Sequence, residues 1–203
     1  MDKKEQIINA AIELFAQKGF EGTSIRDLAA KADVNVAMVN YYFGSKEKLF
    51  EALVEMKASS ARGRLEEVLH DKNLTAIQKI DKVIDSYIER LFNNRQFHRV
   101  IYQELILNQR ETLQQIITEV LYPNTIIIKQ IIEEGIKKKE FKKVDADLTI
   151  ASLVGTINHV LLSKKFCLKI LNREAGYIPY EDPVFINRMS THLKQLMHAH
   201  LKA

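Results

Sequence analysis

Gly19-Phe20-Glu21-Gly22-Thr23-Ser24-Ile25-Arg26-Asp27-Leu28-Ala29, continued by Val34-Asn35-Val36-Ala37-Met38-Val39-Asn40-Tyr41-Tyr42-Phe43-Gly44-Ser45-Lys46, is the stretch on which the fold turns. Ser24 with Asp27 three residues later has the form of a helix N-cap and its reciprocal partner, a capping box that uses Asp. Ile25, Leu28, Ala29 and Ala32 then space out as the apolar stripe of a short helix. Asp33-Val34-Asn35 breaks it, a third helix runs from about Val36 to Tyr42, and Gly44-Ser45 ends that one and caps a fourth beginning at Lys46. Upstream, Ile7, Ile8, Ala11, Ile12, Leu14 and Phe15 mark a first helix over Lys3–Lys18, with Gly19 placed where a left-handed helix end favours glycine.

Three short helices joined by tight turns predict a helix-turn-helix. Such a unit needs a small residue where two helices approach, a residue tolerant of the turn and an apolar anchor beyond it. Ala29, Asp33 and Val34 fill those places. The later helix can lie in the major groove of a duplex, presenting Asn35, Val36, Ala37, Asn40 and Tyr41. No acidic residue occurs from Val34 to Lys46, so this surface approaches phosphates without like-charge repulsion. Ser45 and Lys46 bring a helix N-terminus and an ammonium to one place, a chemically sensible phosphate clamp.

Bulk charge does not make this argument. The chain of 203 residues has a net charge of +4, yet residues 1–50 hold seven Lys/Arg and seven Asp/Glu. The basic excess lies beyond them, including Lys137, Lys138, Lys139, Lys142 and Lys143, which read as a solvated helix end favoured by the dipole. Only 7 Gly and 3 Pro are present, which favours long helices over many short strands. The remaining helices are expected at roughly Lys46–His70, Thr75–Asn93, Gln96–Asn108, Arg110–Lys139, Asp145–Leu171 and Pro183–Lys202, with a break near Tyr122-Pro123 because proline lacks the amide donor. The fold class is all-α, with about nine helices.

The stretch Gly19-Phe20 through Ala29, then Val34 through Tyr42-Phe43-Gly44-Ser45-Lys46-Glu47-Lys48-Leu49-Phe50, resembles the TetR family of repressors. The resemblance implies an N-terminal three-helix DNA-binding domain over residues 1–50 and a larger helical ligand-binding and dimerisation domain over 51–203. It implies a homodimer on double-stranded operator DNA with two-fold symmetry, released by a small-molecule effector. Carried onto matching positions, it gives Thr23 and Ser24 phosphate contacts, Arg26 a contact found in some relatives, and Tyr42 and Lys46 phosphate contacts. Asn35, Val36, Ala37, Asn40 and Tyr41 would face bases or nearby phosphates. Two departures stand out. Asp33 occupies a turn position where the family often has Gly, which Asp tolerates. Asn40 replaces the family's common Tyr and suits adenine or phosphate.

Beyond the head the signals are thinner. Small residues Ala151, Ser152 and Gly155, flanked by Leu148, Val154, Leu161 and Leu162, and the stripe Phe185, Ile186, Met189, Leu193, Leu196 and Met197 fit either intrachain core or the four-helix dimer contact that the resemblance implies. Tyr87, Phe92, Phe97, Tyr102, Asn158, His159 and Phe166 are candidate pocket residues for an apolar or amphipathic effector. Cys167 is the single cysteine and reads as a small buried hydrophobe, which excludes an internal disulfide. His198 and His200 are two apart and cannot chelate together from one helix, so with His192 they read as solvated, and no metal or cofactor is expected. No phosphate loop or nucleophile elbow supports an enzyme, and Cys167 with His159 pairs by count only. Without a signal-peptide core or an apolar span of transmembrane length, the expected place is the cytoplasm, away from the membrane.

Overall fold

The computed structural model describes residues 2–202 apart from Asn108 and Ser163, with the side chains of Leu161, Leu162 and Lys164 also outside the description. Among the described residues there are ten α-helices and one short 3-10 turn. They are α1 (Lys3–Lys18), α2 (Ile25–Lys31), α3 (Val36–Phe43), α4 (Lys46–His70), α5 (Ala76–Asn93), α6 (Arg95–Leu107), α7 (Glu111–Lys137), α8 (Ala146–Leu162), α9 (Lys164–Ile170) and α10 (Pro183–Leu201), with the 3-10 turn at Pro179–Glu181.

The chain forms two compact units, one of residues 1–61 and 94–123, the other of residues 62–93 and 124–203. In the first, α1 supplies Ile7, Ala11 and Phe15, α2 supplies Leu28, α4 supplies Leu49, Phe50 and Leu53, and α6 and α7 add Ile101, Leu113 and Ile117 to one core. In the second, Ile80, Ile84 and Leu91 of α5 pack with Ile131 and Ile132 of α7, Ile157 of α8, and Leu193 and Leu201 of α10.

Two features of the second unit come from nonlocal contacts. Lys79 is almost wholly buried; its ammonium donates to the Leu69 carbonyl near the end of α4 and lies 3.8 Å from Glu134 Oε2. It closes orphan acceptors that a helix end leaves open. At Gly135 a Cβ would stand 2.3 Å from Phe141 Cδ2 and 2.9 Å from Ala76 Cβ, so only glycine allows this approach.

Two expectations change. Pro123 does not break its helix: α7 runs unbroken through it. The lost hydrogen bond is tolerated because the helix is held on both sides of the proline, by Leu113 and Ile117 in one core and by Ile127, Ile128 and Ile131 in the other. Where one helix is expected over 145–171, helix is described over Ala146–Leu162 and Lys164–Ile170, with Ser163 between them outside the described residues. The α10 residues Phe185, Met189 and Leu193, expected at a dimer contact, are buried within the chain. Their i, i+4 stripe is consumed by the intrachain core, and α10 turns Val184 and Leu196 outward instead.

Candidate nucleic-acid interface

The head is assembled by its caps. Asp2 accepts from the Lys4 amide at 3.4 Å to start α1, and Gly19 ends it at φ 75 while donating to the Phe15 carbonyl. At α2 the capping box is complete: the Asp27 amide donates to Ser24 Oγ at 3.1 Å and the Ser24 amide returns to Asp27 Oδ2 at 2.9 Å. Asp33 takes a left-handed φ of 51, the turn conformation expected of it. The Asn35 side chain then accepts from the Met38 amide at 2.8 Å to open α3, and Gly44 closes it at φ 75.

This framing orients α3. Val39 and Phe43 are its buried residues, and they fix the helix against the core. Asn35, Val36, Ala37, Asn40 and Tyr41 are all exposed, Tyr41 to 83%. Tyr42 is half-buried, its ring edge-on to Tyr41 at 5.4 Å and tilted against Phe43. The sequence-predicted base-facing residues thus share one outward surface, with the Asn35 carbonyl oxygen occupied in capping and its amide nitrogen available as a donor.

The residues expected at phosphates are placed differently from one another. Thr23 is sealed, with no exposed surface, and its hydroxyl donates to the Gly19 carbonyl at 2.8 Å. Its side chain locks the α1–α2 turn and has no surface to offer a phosphate. Ser24 is exposed, but its hydroxyl donates to Asp27 at 2.6 Å. Arg26 is exposed. Lys46 is half-buried, with its ammonium folded over the turn: it donates to the carbonyls of Phe20 at 2.9 Å and Thr23 at 3.1 Å, and lies 4.3 Å from the Phe20 ring centroid. Lys46 therefore seats the turn with two of its three donors, leaving one for another acceptor.

The Asp27 carboxyl is held down to about 2, first by the Ser24 hydroxyl, then by the Ser24 amide and by Lys18 at 3.2 Å. A carboxyl lowered on folding stabilises the fold above its unfolded value of 3.8, and that contribution disappears as pH falls towards 2. Acid unfolding of Asp27→Asn, followed by circular dichroism, is expected to show a shallower loss of stability between these values than the native chain. An identical profile would remove Asp27 from the acid response.

Sequence reasoning missed a further group at this head. Arg110, just ahead of α7, donates through Nε to Glu21 at 2.9 Å and through Nη1 to the buried Glu104 at 2.7 Å. The 89 residues separating Arg110 from Glu21 leave no local pattern to read.

The other candidates scatter. Phe97 belongs to the core that contains α1 and α4, and half-buried Tyr102 lies on α6 in the same unit. Phe92 and Asn158 are buried and Tyr87 half-buried in the second unit, with the Arg90 guanidinium 5.0 Å from the Tyr87 ring. His159 and Phe166 are exposed and paired edge to face at 5.6 Å. Cys167 is buried, and burial pushes its thiol up, away from the reactive thiolate. His198 bonds to Asp81 at 2.8 Å and His200 to Thr149 at 3.0 Å, so neither is merely solvated. Among the described residues no three potential ligands gather to hold a metal ion, and no helix is long and apolar enough to cross a membrane.

With this geometry in place, the chain matches bacterial regulatory proteins of the tetR family over residues 7–53 and a tetracyclin repressor-like C-terminal domain over residues 73–162. It is 30% identical over 183 residues to a probable HTH-type transcriptional regulator, YttP, of Bacillus subtilis, covering 90% of this chain and 86% of that one. The chain belongs to the tetR family. As a tetR-family protein it is a sequence-specific DNA-binding transcriptional regulator. It is also 31% identical over 160 residues to the fatty acid metabolism regulator protein of B. subtilis, covering 78% of this chain and 81% of that one. Among solved structures, FadR from B. subtilis in complex with stearoyl-CoA aligns with a TM-score of 0.72 at 25% identity, covering 95% of this chain and 96% of that one. FadR from Bacillus halodurans aligns with a TM-score of 0.76 at 21% identity over 95% and 96%, and shares the fold.

Proposed function

We propose that this tetR-family chain is a cytoplasmic, homodimeric repressor that reads a two-fold symmetric operator with α3 and is released by an amphipathic effector of the long-chain acyl-CoA class. It works by binding, with no chemical step of its own. The observation that carries the DNA reading is the outward face of α3, where Asn35, Ala37, Asn40 and Tyr41 are all free of the core. Residues 1–50 act as the reading head, and residues 51–203 bind the effector and the second copy. Selection of bound fragments from random DNA tests this directly: a palindromic consensus is expected, and a consensus without two-fold symmetry would remove the dimeric reading.

Two copies need a shared surface. Leu148, Ala151, Ser152 and Gly155 of α8 lie exposed along one helix, and Val184 and Leu196 of α10 point outward. Small and apolar residues on helix faces favour close helix packing, so these faces suit the subunit contact better than the buried α10 stripe.

The effector class is supported by two relatives, the fatty acid metabolism regulator and the FadR structure with stearoyl-CoA. The second unit offers an apolar composition in Ile84, Ile88, Phe92, Ile127 and Ile128, with Tyr87 packed against them and the buried polar Asn158 in the same unit. A ligand that binds the folded chain raises its melting temperature in proportion to the logarithm of its concentration over Kd. Stearoyl-CoA is therefore expected to raise Tm and to weaken operator binding, with coenzyme A alone doing neither. Release requires tighter binding to the DNA-incompetent form, so a Tm rise with unchanged operator affinity would make it a bystander ligand.

A further inference from the structure

One acidic side chain of the head stands beside a cation assigned to DNA. Glu21 is exposed, and its Oε2 lies 4.0 Å from Lys46 Nζ. A phosphate within hydrogen-bond reach of Lys46 would come within about 7 Å of that carboxylate, inside the range where salt screens only partly. The head has no surplus of base to absorb this repulsion, since residues 1–50 hold equal numbers of acids and bases. Two other acids of the head are already occupied: Asp27 by Ser24 and Lys18, and Glu13 by Lys31 at 2.7 Å.

The partner of Glu21 comes from outside the head segment. The Arg110 guanidinium bonds Glu21 Oε1 at 2.9 Å through Nε and Glu104 Oε2 at 2.7 Å through Nη1. Glu104 is buried on α6, so one edge of the guanidinium is anchored in the protein. Because the group is a rigid planar fork, anchoring one edge fixes where the other points. The Glu21 carboxyl is held below its ordinary value chiefly by this hydrogen bond and secondarily by Lys46.

We propose that Arg110 is a positioning residue for DNA binding: anchored on Glu104, it holds the Glu21 carboxylate in an ion pair, keeping that charge from competing with phosphate at Lys46. This rests on the reading that the Lys46 side of the head meets the DNA backbone.

The test uses the full chain and a fluorescein-labelled duplex of random sequence, because the repulsion is independent of base sequence. Arg110→Gln is made in a Glu104→Gln parent, so that no buried carboxylate is orphaned. It is expected to weaken binding about five- to tenfold at low salt, and less as salt rises. Adding Glu21→Gln is expected to restore affinity to within about twofold of the parent, since the released charge is then absent. A triple variant as weak as the one retaining Glu21, or Arg110→Gln at parent affinity, would overturn the proposal. In the otherwise native chain, Glu21→Gln alone is expected to change affinity by less than about twofold, because Arg110 already holds that carboxylate in an ion pair. A much larger gain would show the carboxylate uncompensated and sink the idea without any disturbance of the fold. Failure of the native chain to bind any duplex would count against the phosphate-facing reading itself, which separates the two.

Discussion

Ala37→Glu is expected to leave the fold standing and to abolish DNA binding. Ala37 is the second residue of α3, exposed, and just after the Asn35 cap. A carboxylate in the first turn of a helix interacts favourably with the helix dipole by about 0.3–1 kcal/mol, so Tm should hold or rise slightly. The same carboxylate would be driven into a groove lined by phosphates, on a stretch from Val34 to Lys46 that carries no acid. Like-charge juxtaposition in an interface costs several kcal/mol, which corresponds to more than about a hundredfold in Kd. Anisotropy on the selected operator and on random DNA checks it, and both should weaken. Asn40→Ala is the graded comparison, losing about 1–3 kcal/mol at one base pair if its amide reads a base. Native affinity in Ala37→Glu would take the first turn of α3 out of the groove.

Why α3 was legible in the sequence, while Arg110 was not, follows from the range of the forces involved. Ser24 with Asp27, Asp33 at its left-handed φ, and the glycines at 19 and 44 act over three or four residues, so the head could be read from its caps. The limits of α4, Lys46–His70, fall where Ser45 and the apolar spacing put them. Thr23 and Ser24 show where local reading stops. Both are short hydroxyl residues at one turn, and only the packed turn decides that Thr23 points inward to the Gly19 carbonyl. Lys46 has a flexible side chain, whose acceptors at Phe20 and Thr23 are set by the folded turn. Periodicity on α10 announced a buried face but not what covers it, and intrachain residues took the stripe at Phe185, Met189 and Leu193. Lys79 and Arg110 gain their roles from carbonyls and carboxylates distant in sequence, which no spacing rule encodes.

Phe50→Ala should produce the largest loss of stability among head substitutions. Phe50 is fully buried on α4, with its ring 6.1 Å from Phe15 and edge-on to Phe20 at 5.7 Å, while Phe15 and Phe20 stand 5.3 Å apart. Removing a buried phenyl leaves a cavity that packed helices fill only in part, at a cost of about 3–5 kcal/mol. Each lost ring pair adds about 0.5–1.5 kcal/mol beyond area alone. Phe50→Leu retains most of the volume and should cost far less, so the difference between the two variants measures the cavity and aromatic contribution. The effect should reach DNA binding before unfolding. Phe20 carries the Lys46 ammonium at 4.3 Å on a ring that Phe50 supports, so loosening that ring unseats the cation. Chemical denaturation reports the first effect, and anisotropy well below the melting temperature reports the second. A destabilised Phe50→Ala that still binds its operator as tightly as the native chain would separate the aromatic cluster from the seating of Lys46, leaving Phe20 and its two backbone carbonyl neighbours to hold that ammonium unaided.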